Sequence, residues 1–114
     1  CYLRDLYPTT CELAGVPVPG SVQSASLASV FKNPKARPHK FVVGYFTNTQ
    51  RMIRKDGWKL IWYPHLARYQ LFDLKNDPHE LTNLFSHNDH TKHADKLRHQ
   101  LDNWLRDHGD PLFD

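Results

Sequence analysis

Between residues 40 and 74 apolar positions come in short runs broken by turn residues. Between 89 and 108 they recur every three or four residues. The first pattern is that of strands and the second that of a helix. The runs KFVVGYF (40–46), TQRMIR (49–54), WKLIWY (58–63) and RYQLFDL (68–74) are rich in β-branched and aromatic residues. Gly44 inside the first marks a bulge or a close backbone approach. Lys55-Asp56-Gly57 carries the Asp-Gly pair that favours a hairpin turn, and residues 64–67 form a loop before the fourth run. Connections this short make the neighbours antiparallel. In the third run Trp58, Leu60 and Trp62 share one face, and Lys59, Ile61 and Tyr63 the other.

The helical pattern places Ala94, Leu97, Leu101, Trp104 and Leu105 on one buried face. Gly109 ends that helix and Pro111 prevents its continuation. At the other end of the chain, residues 5–15 (DLYPTTCELAG) predict a short helix with Asp5 as N-cap, Pro8 in the first turn and Gly15 as its stop. Leu6, Cys11 and Ala14 would form its buried stripe. Residues 16–20 are extended, 24–31 add a turn of helix, and 33–39 form a Pro-rich, basic linker. In 71–84 (LFDLKNDPHELTNL) a strand ends and Asp77-Pro78 starts a helical turn, with Glu80 placed to reach back to the cap amide. The expected fold is α+β: a four-stranded antiparallel sheet packed against a C-terminal amphipathic helix, preceded by a short helix and a Pro-rich linker.

Composition narrows the functional classes. At 114 residues the chain holds one domain at most, and its net charge of +3 comes from basic residues interspersed with acids. Basic and aromatic residues interleave in 51–68, but the alternation describes a sheet with a core face better than a nucleic-acid platform. No apolar run has the length of a membrane span. Cys1 and Cys11 make no disulfide framework, and a bridge between them would need Cys1 to fold back on the helix. His87, His90 and His93, with Asp89, recur at a helix start and read as a solvated face, since a zinc site needs about four converging ligands. No nucleophile-elbow pattern occurs. The segment FTNTQR (46–51) is rich in donors and ends in Arg51, whose guanidinium suits bidentate binding of carboxylate or sulfate oxygens. On residues alone it reads first as an ordinary hairpin loop with Arg51 in solvent.

Five motifs, in order along the chain, carry a resemblance. Asp5-Leu6-Tyr7-Pro8-Thr9 with Leu13-Ala14-Gly15 and Pro17 is the first, and Ser26-Leu27 the second, with Ala25 where a Gly is usual. Gln50 to Arg54, Trp58 to Ile61 and the 71–84 segment complete the set. Together they resemble the C-terminal part of type I, formylglycine-dependent sulfatases of the alkaline phosphatase superfamily.

The resemblance implies that residues 1–38 are the tail of an upstream catalytic domain plus linker, and 39–114 the C-terminal subdomain. It implies a sulfuric ester hydrolase acting on sulfated glycans, periplasmic or secreted, whose calcium and formylglycine lie in the upstream domain. Neither Cys1 nor Cys11 is followed by the Pro and Ser/Ala-x-Arg pattern that directs formylglycine formation, so no catalytic residue and no metal ligand is expected in this chain. Thr47, Asn48, Gln50 and Arg51 are the implied rim of the substrate pocket, with Arg51 facing an anionic group of the substrate. The implied partners are the upstream catalytic domain and the sulfated carbohydrate, without nucleic acid or membrane. Dimerisation through exposed apolar surface is a further expectation. The rival reading is a free-standing carbohydrate- or protein-binding module.

Overall fold

Asp56 and Gly57 take φ values of 52° and 85°, the left-handed pair that a two-residue hairpin turn of the primed type requires. The turn joins β2 (Gln50–Lys55) to β3 (Trp58–Tyr63), with Lys55 and Trp58 as the closing pair. β1 (Val42–Phe46) lies beside β2, and β4 (Arg68–Asp73) lies beside β3, so the sheet order is β1-β2-β3-β4. These elements come from a computed structural model that describes residues 1–112. The last two residues of the predicted 39–114 subdomain lie outside them. Two compact units are present, Cys1–Val42 and Val43–Asp114.

In the second unit the register lines up Ile53, Leu60 and Leu71 across three strands, and none of the three is exposed to solvent. The helix predicted at the end of the chain, α3, spans Thr91–Asp107, follows a 3-10 turn at Asn88–His90, and buries Ala94, Leu97, Leu101 and Leu105. The face of the sheet that meets it carries Trp58, Leu60 and Trp62, as the alternation predicts. Trp58 stacks on His93 of the helix, with ring centroids 4.5 Å apart. Lys55 donates to Gln100 at 3.1 Å. Trp104 departs from expectation: it is half-buried and stacks on His108 at 3.9 Å. Leu101 and Leu105 already occupy the centre of the stripe, which leaves the larger ring at its flank.

The 71–84 segment corrects the predicted helical turn. Glu80 has φ 57°, a left-handed conformation that cannot continue a right-handed helix. The Asp77 carboxylate instead accepts the Thr82 amide at 2.8 Å. The Glu80 carboxylate turns away from the cap and pairs with Lys59 Nζ at 2.7 and 2.9 Å. Phe72, the register partner of Lys59, is buried in the same region of the sheet. Asn83 then lies along β4: its Oδ1 accepts the Leu71 amide at 2.9 Å, and the Leu84 amide donates to the Leu71 carbonyl at 2.8 Å. Lys59, Glu80 and Asn83 thus close one structural clasp, which explains why these residue types accompany one another in the motifs.

In the first unit, α1 (Leu6–Leu13) follows a 3-10 turn at Leu3–Asp5, and α2 spans Ala28–Lys32. Asp5 occupies the N-cap position without capping α1. Its carboxylate accepts the Tyr2 amide at 2.7 Å and pairs with His39 Nε2 at 2.8 Å. The buried stripe is Asp5, Pro8 and Thr9, while Leu6 and Ala14 are exposed and Cys11 is half-buried. The reason is polar: Thr9 Oγ1 donates to the Asp5 carbonyl at 2.6 Å and accepts the Leu27 amide at 2.8 Å. These bonds turn the predicted apolar stripe toward solvent. Gly15, at φ 69°, ends the helix as expected.

Candidate substrate rim at the first hairpin

Of the four sequence-predicted rim residues, Thr47 and Asn48 lie in the β1–β2 connection, and Gln50 and Arg51 open β2. Phe46 ends β1, the Thr49 amide returns to the Phe46 carbonyl at 3.1 Å, and Thr47 sits at φ 47°. A threonine in this conformation is strained, since β-branching disfavours the left-handed region. Thr47, Asn48 and Thr49 are exposed and Gln50 is half-buried. Tyr45 and Phe46 beside them are 72% and 66% exposed. On the sheet face away from the helix, Gly44, Phe46, Gln50, Met52, Lys59 and Ile61 line a shallow depression of about 220 Å³. A Cβ at Gly44 would come within 3.1 Å of the Met52 terminal methyl, so the glycine admits the close approach that the sequence predicts there.

Arg51 also borders this depression, but its side chain is turned inward. Expected to face an anionic group of a substrate, it is only 2% exposed and its guanidinium is fully engaged inside the protein. Nε donates to Asp110 Oδ2 at 2.6 Å and Nη2 to Asp110 Oδ1 at 3.1 Å. Nη1 donates to the carbonyls of Thr47 at 2.8 Å and Gln50 at 2.9 Å. This is the bidentate geometry for which arginine is suited, with the carboxylate supplied by the chain itself. Burial pushes the Asp110 carboxyl up, but the hydrogen bonds from Arg51 and the Leu112 amide and the charge of Arg51 outweigh it and hold it below the ordinary range.

Asp110 is the residue that the sequence reading passes over. Gly109, at φ 64°, ends α3 in a Schellman arrangement: its amide donates to Arg106 O at 3.1 Å and the Asp110 amide to Leu105 O at 2.9 Å. The signal was available, because a Gly stop fixes where the next residue emerges. Its partner 59 positions away was not.

The other candidates have structural surroundings. His93 stacks on Trp58, and His90 packs against the same ring at a tilt of 50°. Among the described residues no group of three or more His, Cys, Asp and Glu side chains is placed to hold a metal ion. Cys1 and Cys11 are free thiols. Among the described residues no helix is long and apolar enough to cross a membrane.

Residues 3–107 match the family model described as N-sulphoglucosamine sulphohydrolase, C-terminal. The chain is 33% identical over 109 residues to a Delta 4,5-hexuronate-2-O-sulfatase of Bacteroides thetaiotaomicron, covering 89% of this chain and 23% of that protein. It is 36% identical over 96 residues to arylsulfatase K of Rattus norvegicus, covering 72% and 17%. The solved structure of a 2-O GAG sulfatase superposes with a TM-score of 0.77 at 30% identity, covering 93% of this chain and 25% of that one. The chain therefore spans about a quarter or less of the length of these relatives. With the family model matched over nearly its whole length, the chain belongs to the N-sulphoglucosamine sulphohydrolase C-terminal family and is the C-terminal subdomain of a sulfatase.

Proposed function

We propose that the chain serves a sulfatase acting on sulfated glycans as its non-catalytic C-terminal part, supporting the fold and shaping the rim of the substrate pocket. The observation that carries the reading is the β1–β2 loop. Its side chains at Thr47 and Asn48 face solvent while its backbone is braced from inside by a buried arginine. A rim needs that combination, because binding residues held in place lose less freedom when substrate arrives. Thr47, Asn48 and Gln50 offer hydroxyl and amide groups to sugar hydroxyls and sulfate oxygens. Arg51 takes part by holding the Thr47 carbonyl, and an anionic substrate group would reach it only by displacing Asp110.

Residues 1–38 are the tail of an upstream catalytic domain plus linker, and 39–114 the subdomain itself. In support, the first unit leaves Leu3, Leu6, Leu13 and Phe31 between 54% and 85% exposed, more apolar surface than a self-sufficient core presents. The upstream domain is the partner for that surface, and pairing of two copies through it is the alternative use. Calcium and formylglycine belong to the upstream domain, since no described cluster here suits a metal and neither cysteine stands in a formylglycine motif. The relatives named for hexuronate 2-O-sulfate and N-acetylglucosamine 6-O-sulfate support a glycan substrate. Such substrates favour a parent enzyme that works in the periplasm or outside the cell.

The test is kinetic, in the full-length enzyme. Thr47→Ala with Asn48→Ala should raise KM for a sulfated oligosaccharide and leave hydrolysis of a small aryl sulfate unchanged, the signature of lost binding remote from the reacting bond. Equal effects on both substrates, or none on either, refute the rim.

A further inference from the structure

We infer that Asp110 is a positioning residue for the β1–β2 loop, so that the end of α3 sets the geometry of the proposed rim; this rests on the reading of that loop given above. The chain of causes begins at Gly109. Its left-handed φ of 64° closes the helix and sends the backbone sharply aside, and the Asp110 amide stays tied to Leu105 O at 2.9 Å. Leu105 is fully buried against the sheet, so the carboxylate leaves a fixed point. The Leu112 amide donates to Asp110 Oδ1 at 3.1 Å and fixes its orientation.

The carboxylate then determines what Arg51 can do. The side chains of the pair are 3% and 10% exposed, and a guanidinium this deep stays inside only while a counter-charge is present. With Asp110 in place, Nε and Nη2 are occupied, and the planar fork leaves Nη1 pointing at the Thr47 and Gln50 carbonyls. Thr47 is the strained residue of the loop, at φ 47°, and such a conformation persists only when its surroundings impose it. The Nη1 bond is that imposition. Without Asp110 the guanidinium swings toward water, the Thr47 carbonyl loses its donor, and threonine relaxes out of the left-handed region. The same guanidinium lies 5.7 Å from the centroid of the exposed Tyr45 ring, so its displacement also frees the aromatic residue beside the loop. The Asp110 carboxylate bonds to Arg51 and to the Leu112 amide, and it acts on the loop through Arg51.

Hydrogen exchange of the full-length enzyme, resolved by peptide, tests this directly. Asp110→Asn keeps the shape and removes the charge. It should speed exchange over residues 45–50 by about tenfold or more while leaving β3 (58–63) and the helix body (94–105) unchanged. Arg51→Lys, which keeps the charge and loses the fork, should do the same, and Asp110→Glu should restore part of the protection. KM for a sulfated oligosaccharide should rise in Asp110→Asn with kcat on a small aryl sulfate unchanged. Unchanged exchange over 45–50, or equal acceleration in all three regions, overturns the positioning role. If the Thr47→Ala, Asn48→Ala variant raises KM and Asp110→Asn does not, the inference fails and the rim stands. If that loop variant leaves KM unchanged, the rim itself fails, and with it the role of Asp110 in setting it.

Discussion

Replacing Asn83 by alanine isolates the clasp that fastens the 71–84 segment to the sheet. Asn83 Oδ1 accepts two amides, from Leu71 at 2.9 Å and from Phe85 at 3.1 Å. Its Nδ2 reaches the Tyr69 carbonyl only at 3.5 Å, too long to weigh much. Leu71 has no solvent exposure, so its orphaned amide cannot turn to water, and a buried unsatisfied donor costs about 1–3 kcal/mol. Phe85 is half-buried, and its amide recovers a water partner at smaller cost. Asn83→Ala is therefore expected to destabilise by about 2 kcal/mol, most of it from Leu71. That corresponds to a fall in Tm on the order of 10 °C for a domain near this size. Asn83→Asp keeps the acceptor and loses only the weak Nδ2 contact, so it should stay within about 0.5 kcal/mol of the parent at neutral pH. Urea titration followed by far-UV circular dichroism measures both. A loss below about 0.5 kcal/mol for the alanine variant, or equal losses for the two, would refute the reasoning.

Two further outcomes follow from the core and from the carboxylates. Leu101→Ala should cost about 2–5 kcal/mol, because the residue is fully buried between helix and sheet; Trp104→Ala, at the flank, should cost less, and denaturant midpoints decide the order. Asp110 and Asp77 both titrate below the ordinary value of 3.8 in the folded chain, Asp110 through Arg51 and Leu112 against the opposing effect of burial, Asp77 chiefly through the Thr82 amide. A depressed carboxyl contributes stability that is present above 3.8 and is lost as pH falls through the lower folded value. Stability followed by urea midpoints should thus fall on acidification past 3.8, and Asp110→Asn should flatten that fall.

Strand runs and helix period were legible because each is written in neighbouring residues. The Asp56-Gly57 turn and the Gly15 and Gly109 stops depend on local backbone freedom, and all three stand where the sequence puts them. What escaped was settled by partners far along the chain. Glu80 satisfies the spacing of a capping box, yet it pairs with Lys59 twenty-one positions earlier. Leu6 satisfies a helical stripe, yet Thr9 and Leu27 rotate α1 away from it. The rim is the sharpest case. Arg51 carries the chemistry expected of an anion-binding residue, and the anion it holds is a carboxylate of its own chain.

That ion pair also has a place in time. The β2–β3 hairpin closes across two residues, and the β3–β4 connection across four, so the meander assembles from local contacts, the kind that form early in folding. The contact between Arg51 and Asp110 spans 59 positions and requires both the hairpin and the finished end of α3 before its partners meet. It therefore closes a longer stretch of chain than either turn of the meander, and it depends on the end of the helix staying wound. The β1–β2 loop thus takes its bracing from a contact made at the far end of the chain, while the turns of the sheet that carries it are closed by near neighbours.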